Sequence, residues 1–223
     1  MRLSHQIVLA STNPDKFREF SSLFKAYPEV ELISPEGLIR NSEKLAFAEI
    51  HSTYLENSIA KARLANQASH LPSLADDTGL EVNALGGKPG VKSHRYAKPP
   101  LTSGSAPNLV AQDRANIELL MSELKAQKNA SREARFVTCL ALVMEGILIH
   151  AEGILEGTII DPSRETPRGE HGFGYDSIFI PKGSEKTLAE LTEGEKNSFS
   201  HRARAVNELM LQIKARGIVF AKP

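Results

Sequence analysis

Apolar and polar positions alternate along this chain in blocks whose period changes from one to the next. Ile7-Val8-Leu9-Ala10 is a continuous apolar run and reads as a buried strand. The polar turn Ser11-Thr12-Asn13 follows, with Asn13 suited to cap a helix and Pro14 to its first position. Phe17, Phe20, Leu23 and Phe24 then recur at helical spacing until Tyr27-Pro28 ends the run. Val30 to Ile33 reads as a second strand, and strand–helix–strand alternation predicts an α/β protein.

Further along, Gly37 to Glu49 reads as a loop with a helical turn, and Asn57 to Ala68 as a helix. Leu74-Ala75 opens a short strand running into Asp76-Asp77-Thr78-Gly79, which reads as the strand's end or else as a solvated turn. Gly86-Gly87-Lys88-Pro89-Gly90 is a turn cluster, and Lys98 to Pro107 a surface loop. A helix carrying Ile117, Leu120, Met121 and Leu124 comes next. Phe136 to Met144 and Ile147 to Leu155 are strand-like and joined tightly by Glu145-Gly146. Asp161 to Gly174 is polar and glycine-rich, as a functional loop would be. The last helix starts near Ser200 and carries Val206, Leu209, Met210 and Ile213.

Composition narrows the class. With 223 residues, 41% hydrophobic and 24% charged, the chain can bury a core and is not disordered as a whole. Lys plus Arg and Asp plus Glu are both 27, which argues against a broad nucleic-acid-binding surface. Cys139 is the only cysteine, so neither an intrachain disulfide nor a cysteine-based metal framework can form. The start lacks a basic head followed by a long apolar core, and the apolar stretch Phe136 to Ile149 is broken by Thr138, Glu145 and Gly146. The expectation is a cytoplasmic protein with no membrane and no nucleic-acid partner.

Several segments could carry chemistry. Ser11, Thr12, Asn13, Pro14, Asp15 and Lys16 lie between a strand and a helix, where free N–H groups and Lys16 can cradle phosphate. Read locally, they are more readily a helix cap with a surface lysine, and the P-loop pattern is absent. Of Asp76 and Asp77, alternation lets only one face a given cleft, and Asp77, nearer the turn, is the choice for holding Mg²⁺ and positioning water. Glu49 and Glu56 flank the approach to Asn57 and Lys61, and a second carboxylate would help hold a hard cation. Phe173-Gly174-Tyr175-Asp176 offers aromatics between glycines for stacking on a base, or else a tight turn with its rings tucked inside. Lys196 and Ser200-His201-Arg202 could donate to base carbonyls or phosphate, or be exposed charges at a capped helix. The seven histidines show no zinc spacing. Together these residues describe a site for a nucleoside triphosphate with Mg²⁺.

In order along the chain, the same pieces resemble the inosine triphosphate pyrophosphatase family, which cleaves non-standard purine nucleoside triphosphates such as dITP and XTP. The resemblance rests on Val8-Leu9-Ala10-Ser11-Thr12-Asn13 with Lys16, then Glu49, Glu56-Asn57-Ser58 and Lys61-Ala62. It continues through Ala75-Asp76-Asp77-Thr78-Gly79-Leu80-Glu81-Val82, Leu85-Gly86-Gly87-Lys88-Pro89-Gly90-Val91, Ser93 and Arg95-Tyr96-Ala97. It ends with Phe173-Gly174-Tyr175-Asp176, Ala189-Glu190-Leu191, Glu195-Lys196 and Ser200-His201-Arg202.

The resemblance implies an α/β fold with an elongated mixed sheet flanked by helices. It implies a single domain over residues 1–223 with two lobes around a central nucleotide-binding cleft. It also implies a homodimer, a Mg²⁺ requirement, and hydrolysis of ITP, dITP or XTP to the monophosphate and pyrophosphate. By the same resemblance Ser11 to Lys16 hold phosphates and Asp77 is general base and metal ligand, with Glu49 the second ligand. Thr78 stands where serine is usual and contacts substrate. Phe173 stacks on the base, and Gly174, Tyr175 and Asp176 shape that wall. Lys196, His201 and Arg202 read the base or bind phosphate, and Lys61 is a further phosphate contact.

Departures from the family pattern are Thr78, Ser177 in place of proline, Glu170-His171 in place of glycines, and longer segments over Gly37 to Ala48 and Lys98 to Pro107. Alternatives are a Maf-like nucleotide pyrophosphatase of different base choice and a non-catalytic nucleotide sensor. The Phe173 and Ser200 motifs argue against the first, and joint retention of Lys16, Glu49 and Asp77 against the second.

Overall fold

The computed structural model describes residues 2–39, 49–98, 109–127 and 130–221. Most of the loops expected over Gly37 to Glu49 and Lys98 to Pro107 lie outside the described residues. The fold is mixed α/β. Nine strands and five helices are described: β1 (Arg2–Leu3), β2 (Gln6–Leu9), α1 (Pro14–Phe24), β3 (Glu31–Ile33), α2 (Tyr54–Ser69), β4 (Ser73–Val82), β5 (Lys88–Pro89), α3 (Leu109–Ala126), β6 (Glu133–Met144), β7 (Ile147–Ile159), β8 (Phe179–Pro181), α4 (Glu193–Asn197), α5 (His201–Ala215) and β9 (Val219–Phe220). The main sheet has the order β3-β2-β4-β6-β7-β8, with β5 added alongside β4. Strands β3, β2 and β4 run parallel, whereas β7 and β8 are antiparallel, so the sheet is mixed. Strands β1 and β9 form a separate parallel pair.

The chain divides into two compact units. The first comprises Met1–Asp77, Thr138–Gly153 and Ser200–Pro223, and the second Thr78–Val137 and Ile154–Phe199. In the first unit, alternation along each strand feeds two different cores. Ile7 and Leu9 of β2, Leu74 of β4, and Leu140, Leu142 and Met144 of β6 pack with Phe20 and Phe24 of α1 and Val206, Leu209 and Ile213 of α5. The residues between them, Val8, Ala10, Ala75, Ala141 and Val143, pack with Ala62 and Ala65 of α2. Both faces of this part of the sheet are therefore covered, as buried parallel strands require.

Local chemistry sets the helix boundaries. The side chain of Asn13 accepts from the amides of Asp15 and Lys16, with Pro14 opening α1. Thr53 caps α2 by accepting from Glu56 N, and Ser200 caps α5 by accepting from Ala203 N. The second unit has its own core, centred on Leu80, Leu120, Ile159, Ile178, Phe179 and Leu188. Strands β6 and β7 join through Glu145 and Gly146, both at positive φ (42° and 79°), the backbone a tight two-residue hairpin needs.

One expectation about the backbone is corrected. The strand opened by Leu74-Ala75 is not short and does not end at the aspartates. Asp76-Asp77-Thr78-Gly79 lies inside β4, which continues to Val82. Asp has low strand propensity, but β2 pairs with β4 at Ser73-Leu74, β5 pairs at Glu81-Val82 and β6 lies beside β4 in the sheet, so tertiary pairing overrides propensity here.

Candidate active site

Because β4 continues through both aspartates, their side chains leave on opposite faces. Leu74 belongs to the face packed by α1 and α5, and Asp76, two positions on, meets Lys16 of α1 and Arg202 of α5. Ala75 belongs to the α2 face, and Asp77 meets Asn57 and Lys61 of α2.

On the first face, Lys16 Nζ lies 3.1 Å from Asp76 Oδ2. Arg202 Nη1 donates to Glu19 Oε2 at 3.1 Å, and Arg202 Nε lies 3.9 Å from Asp76 Oδ2. Asp76 is fully enclosed. Burial alone would raise its carboxyl, but Lys16, Lys61 and Arg202 outweigh that and hold it well below the usual carboxylate range. It remains charged and works as an anchor for the two cations.

On the second face, α2 buries a stripe of Tyr54, Asn57, Ser58, Lys61, Ala62 and Ala65. Asn57 and Lys61 are polar members of that stripe and need partners there. Asn57 Nδ2 donates to Asp77 Oδ2 at 2.9 Å. Lys61 Nζ donates to Glu49 Oε1 at 2.5 Å and to the Asp76 carbonyl, and lies 4.0 Å from Asp77 Oδ1. Burial pulls the Lys61 ammonium down, but Glu49, Asp77 and Asp76 hold it above its ordinary value. Burial likewise raises Glu49, but Lys61 and Lys16 bring it below its ordinary value. Asp77 goes the other way. Burial, aided by the Glu49 charge and opposed by Lys61, pushes it up to about 6.

Glu49 and Asp77 thus stand around one positive charge, the Lys61 ammonium. Two hard carboxylates already gathered on a cation suit Mg²⁺, which takes one or two of them and fills its shell with water and phosphate oxygens. Among the described residues there is no group of three or more His, Cys, Asp or Glu side chains that could hold a metal. The residues therefore fit a site shared with substrate better than a closed structural one. Glu56, the other acid flanking the approach, instead accepts from Thr53 Oγ1 at the start of α2.

The first turn is half-exposed, as a phosphate seat must be. Two of its amides, those of Asp15 and Lys16, are taken by the Asn13 side chain, and the Asp15 carboxylate pairs with Arg18. What the turn offers an anion is chiefly Ser11, Thr12 and the Lys16 ammonium.

The second unit, described by itself, holds Thr78, the aromatic loop and Lys196. Of the loop's aromatics, Tyr175 is tucked inside and donates its hydroxyl to the Ser93 carbonyl at 2.9 Å, while Phe173 is half-buried. Lys196 is not an exposed charge. Its Nζ donates to Asp176 Oδ2 at 2.8 Å and lies 5.5 Å from the centre of the Phe173 ring. Asp176 Oδ2 also accepts from Phe173 N at 3.2 Å. A side chain at Gly172 would meet that carboxylate at 2.1 Å, so the loop needs glycine there.

His201 and Arg202 are also buried rather than exposed, in the first unit. The start of α5 lies close against β7, since a Cβ on Gly153 would lie 2.0 Å from the His201 carbonyl oxygen. Glu19, which pairs with Arg202, is a residue that the sequence did not single out. Its only signal is an acid beside Phe20 on an apolar helical face, one turn after Lys16.

A family model described as the Ham1 family matches residues 7–212. The chain belongs to the Ham1 family. It is 44% identical over 217 residues to a protein of Bordetella parapertussis named dITP/XTP pyrophosphatase, covering 96% of this chain and 93% of that one. It is 38% identical over 221 residues to a Bacillus subtilis protein of the same name, covering 96% and 100%. Among solved structures, a HAM1 protein from Coxiella burnetii superposes with a TM-score of 0.74 at 34% identity, covering 94% of this chain and 98% of that one. Ham1 membership agrees with the family that the residue motifs resemble.

Proposed function

We propose that this protein hydrolyses non-standard purine nucleoside triphosphates (ITP, dITP and XTP) to the monophosphate and pyrophosphate, and so cleanses the nucleotide pool. The observation that carries the reading is the pairing of Glu49 and Asp77 around Lys61, with Asp77, unlike Glu49 and Asp76, pushed up to about 6. A carboxyl near 6 is poised to take a proton from water at neutral pH, as a general base must. The names of the two relatives support the substrate class.

In this reading Lys16, with Ser11 and Thr12, binds phosphate oxygens, and Lys61 offsets phosphate charge as it builds during cleavage. Asp77 accepts the proton of the attacking water, and Asn57 fixes its orientation. Glu49 and Asp77 would hold Mg²⁺, which when bound neutralises the triphosphate and lowers the cost of charge at the leaving pyrophosphate. Phe173 stacks on the base, with Lys196 and Arg202 as donors. A donor facing position 6 pairs with the oxo group of hypoxanthine or xanthine and leaves the amino group of adenine unmatched. The protein acts as a homodimer in the cytoplasm, where such nucleotides arise.

The test is pyrophosphate release from ITP, dITP, XTP and the four common NTPs, with and without Mg²⁺. Turnover confined to the 6-oxo, non-standard purines and lost without Mg²⁺ is expected. Preference for dTTP or UTP would assign a Maf-like specificity, and binding without turnover a sensor.

A further inference from the structure

Gly174 sits in the left-handed region at φ +59°. Its amide donates to Asp113 Oδ2 at 2.8 Å. The neighbouring amide, of Phe173, donates to Asp176. Consecutive N–H groups on either side of the Phe173 carbonyl are therefore each taken by a carboxylate. One lies within the loop and the other on α3, distant in sequence. Charge-assisted bonds of this kind are stronger and more directional than neutral ones.

The helix carrying Asp113 is itself fixed. Asn116 Oδ1 accepts from Ala97 N at 2.8 Å, and its Nδ2 donates to the His94 carbonyl at 3.1 Å. Gln112 Nε2 donates to the Ala97 carbonyl at 3.0 Å. The segment so pinned also receives the Tyr175 hydroxyl at Ser93. A closed circuit results, running from α3 through the Ser93–Ala97 stretch to Tyr175, back to Gly174, and to Asp113 on α3.

The base of the loop is held otherwise, since the amides of Glu170 and His171 donate to the Ala189 carbonyl. At its tip, Gly174 has positive φ and open space where a side chain would stand, so packing alone does not fix the backbone there. A ring that must meet a flat base at a set angle cannot be left on such a backbone without a loss in binding.

We propose that Asp113 is a positioning residue for recognition of the base. It holds the Gly174 amide and thereby sets the plane of the Phe173 ring, touching neither substrate nor the reacting phosphates. This rests on the reading above that Phe173 stacks on the base.

The experiment compares Asp113→Ala, Asp113→Asn and Phe173→Ala in steady-state hydrolysis of ITP. Inorganic tripolyphosphate, which has no base, serves as a competitive inhibitor. For Asp113→Ala, KM for ITP is expected to rise about tenfold, the scale of losing one charge-assisted hydrogen bond, with kcat nearly unchanged. The inhibition constant of tripolyphosphate is expected to stay at the wild-type value. Asp113→Asn, whose Oδ1 still accepts from Gly174, should restore most of the KM. If Asp113→Ala does not fold, Asp113→Ser, polar but too short to reach the amide, takes its place.

A tripolyphosphate constant that weakens as much as KM would show general loosening and overturn the assignment. So would a normal KM in Asp113→Ala while Phe173→Ala is impaired, which leaves base stacking intact. A normal KM in Phe173→Ala rejects the stacking itself and the role of Asp113 with it.

Discussion

Asp76 and Asp77 share a peptide bond, yet their carboxyls are driven in opposite directions. The first is held low, against its burial, by Lys16, Lys61 and Arg202. The second is raised to about 6 on the α2 face. One strand residue of offset separates a permanent anion that anchors cations from an acid that can exchange a proton near neutrality. Environment, not residue type, assigns the two roles.

Asp77→Asn keeps the acceptor for Asn57 but cannot take a proton. Its kcat for ITP should fall at least about a hundredfold, the lower range for loss of a general base. Near-normal turnover in a steady-state pyrophosphate assay would remove Asp77 from that role.

The same substitution should stabilise the protein when metal is chelated. Asp77 rises from its ordinary 3.8 to about 6 on folding, so between those values the folded chain holds more protons than the unfolded one. Stability contributed by this group therefore falls as pH rises through that window, by roughly 3 kcal/mol at most, and the penalty is complete above pH about 6. Melting curves in EDTA should show Asp77→Asn above wild type by several degrees at pH 8, with the gap closing towards pH 4. A gap that widens in acid would contradict the assigned direction.

Removing the cation between the acids should expose their repulsion. Lys61→Met leaves Glu49 and Asp77 without their buried partner, a loss of about 3–5 kcal/mol by analogy with other broken buried pairs. Added Mg²⁺ should raise the Tm of this variant more than that of wild type, because a divalent ion can replace the missing charge. If Mg²⁺ shifts neither melting curve, Glu49 and Asp77 do not form a cation site.

Arg202 carries two effects that can be separated. Arg202→Ala should raise KM for ITP and also lower Tm, since the buried carboxylate of Glu19 loses its ion pair with Arg202. Adding Glu19→Gln to that variant should recover much of the Tm while KM stays high. Recovery of both together would mean that Arg202 acts only through folding.

Much of this arrangement could be read from the sequence, and the unread parts have physical reasons. The Asn13-Pro14 start, the Ser200 cap and the Glu145-Gly146 hairpin were legible because single residues dictate local backbone. Asn57 and Lys61 were legible as a polar pair within a helix, though their burial was not. The full length of β4 was not legible, because paired aspartates mark the end of a strand by propensity and only neighbouring strands and cations carry the strand past them. Strands β1, β8 and β9 have two or three residues each, too short for any period to show. Glu19 and Asp113 escaped notice because each acts on a partner far away in the chain, Arg202 and Gly174.

Gly153 has no side chain at all, yet it decides how near the first turn of α5 can come to β7. Even one added methyl there would force the helix start outward and carry Arg202 with it. A search for heat-labile mutants with every catalytic side chain intact would do well to begin at this position.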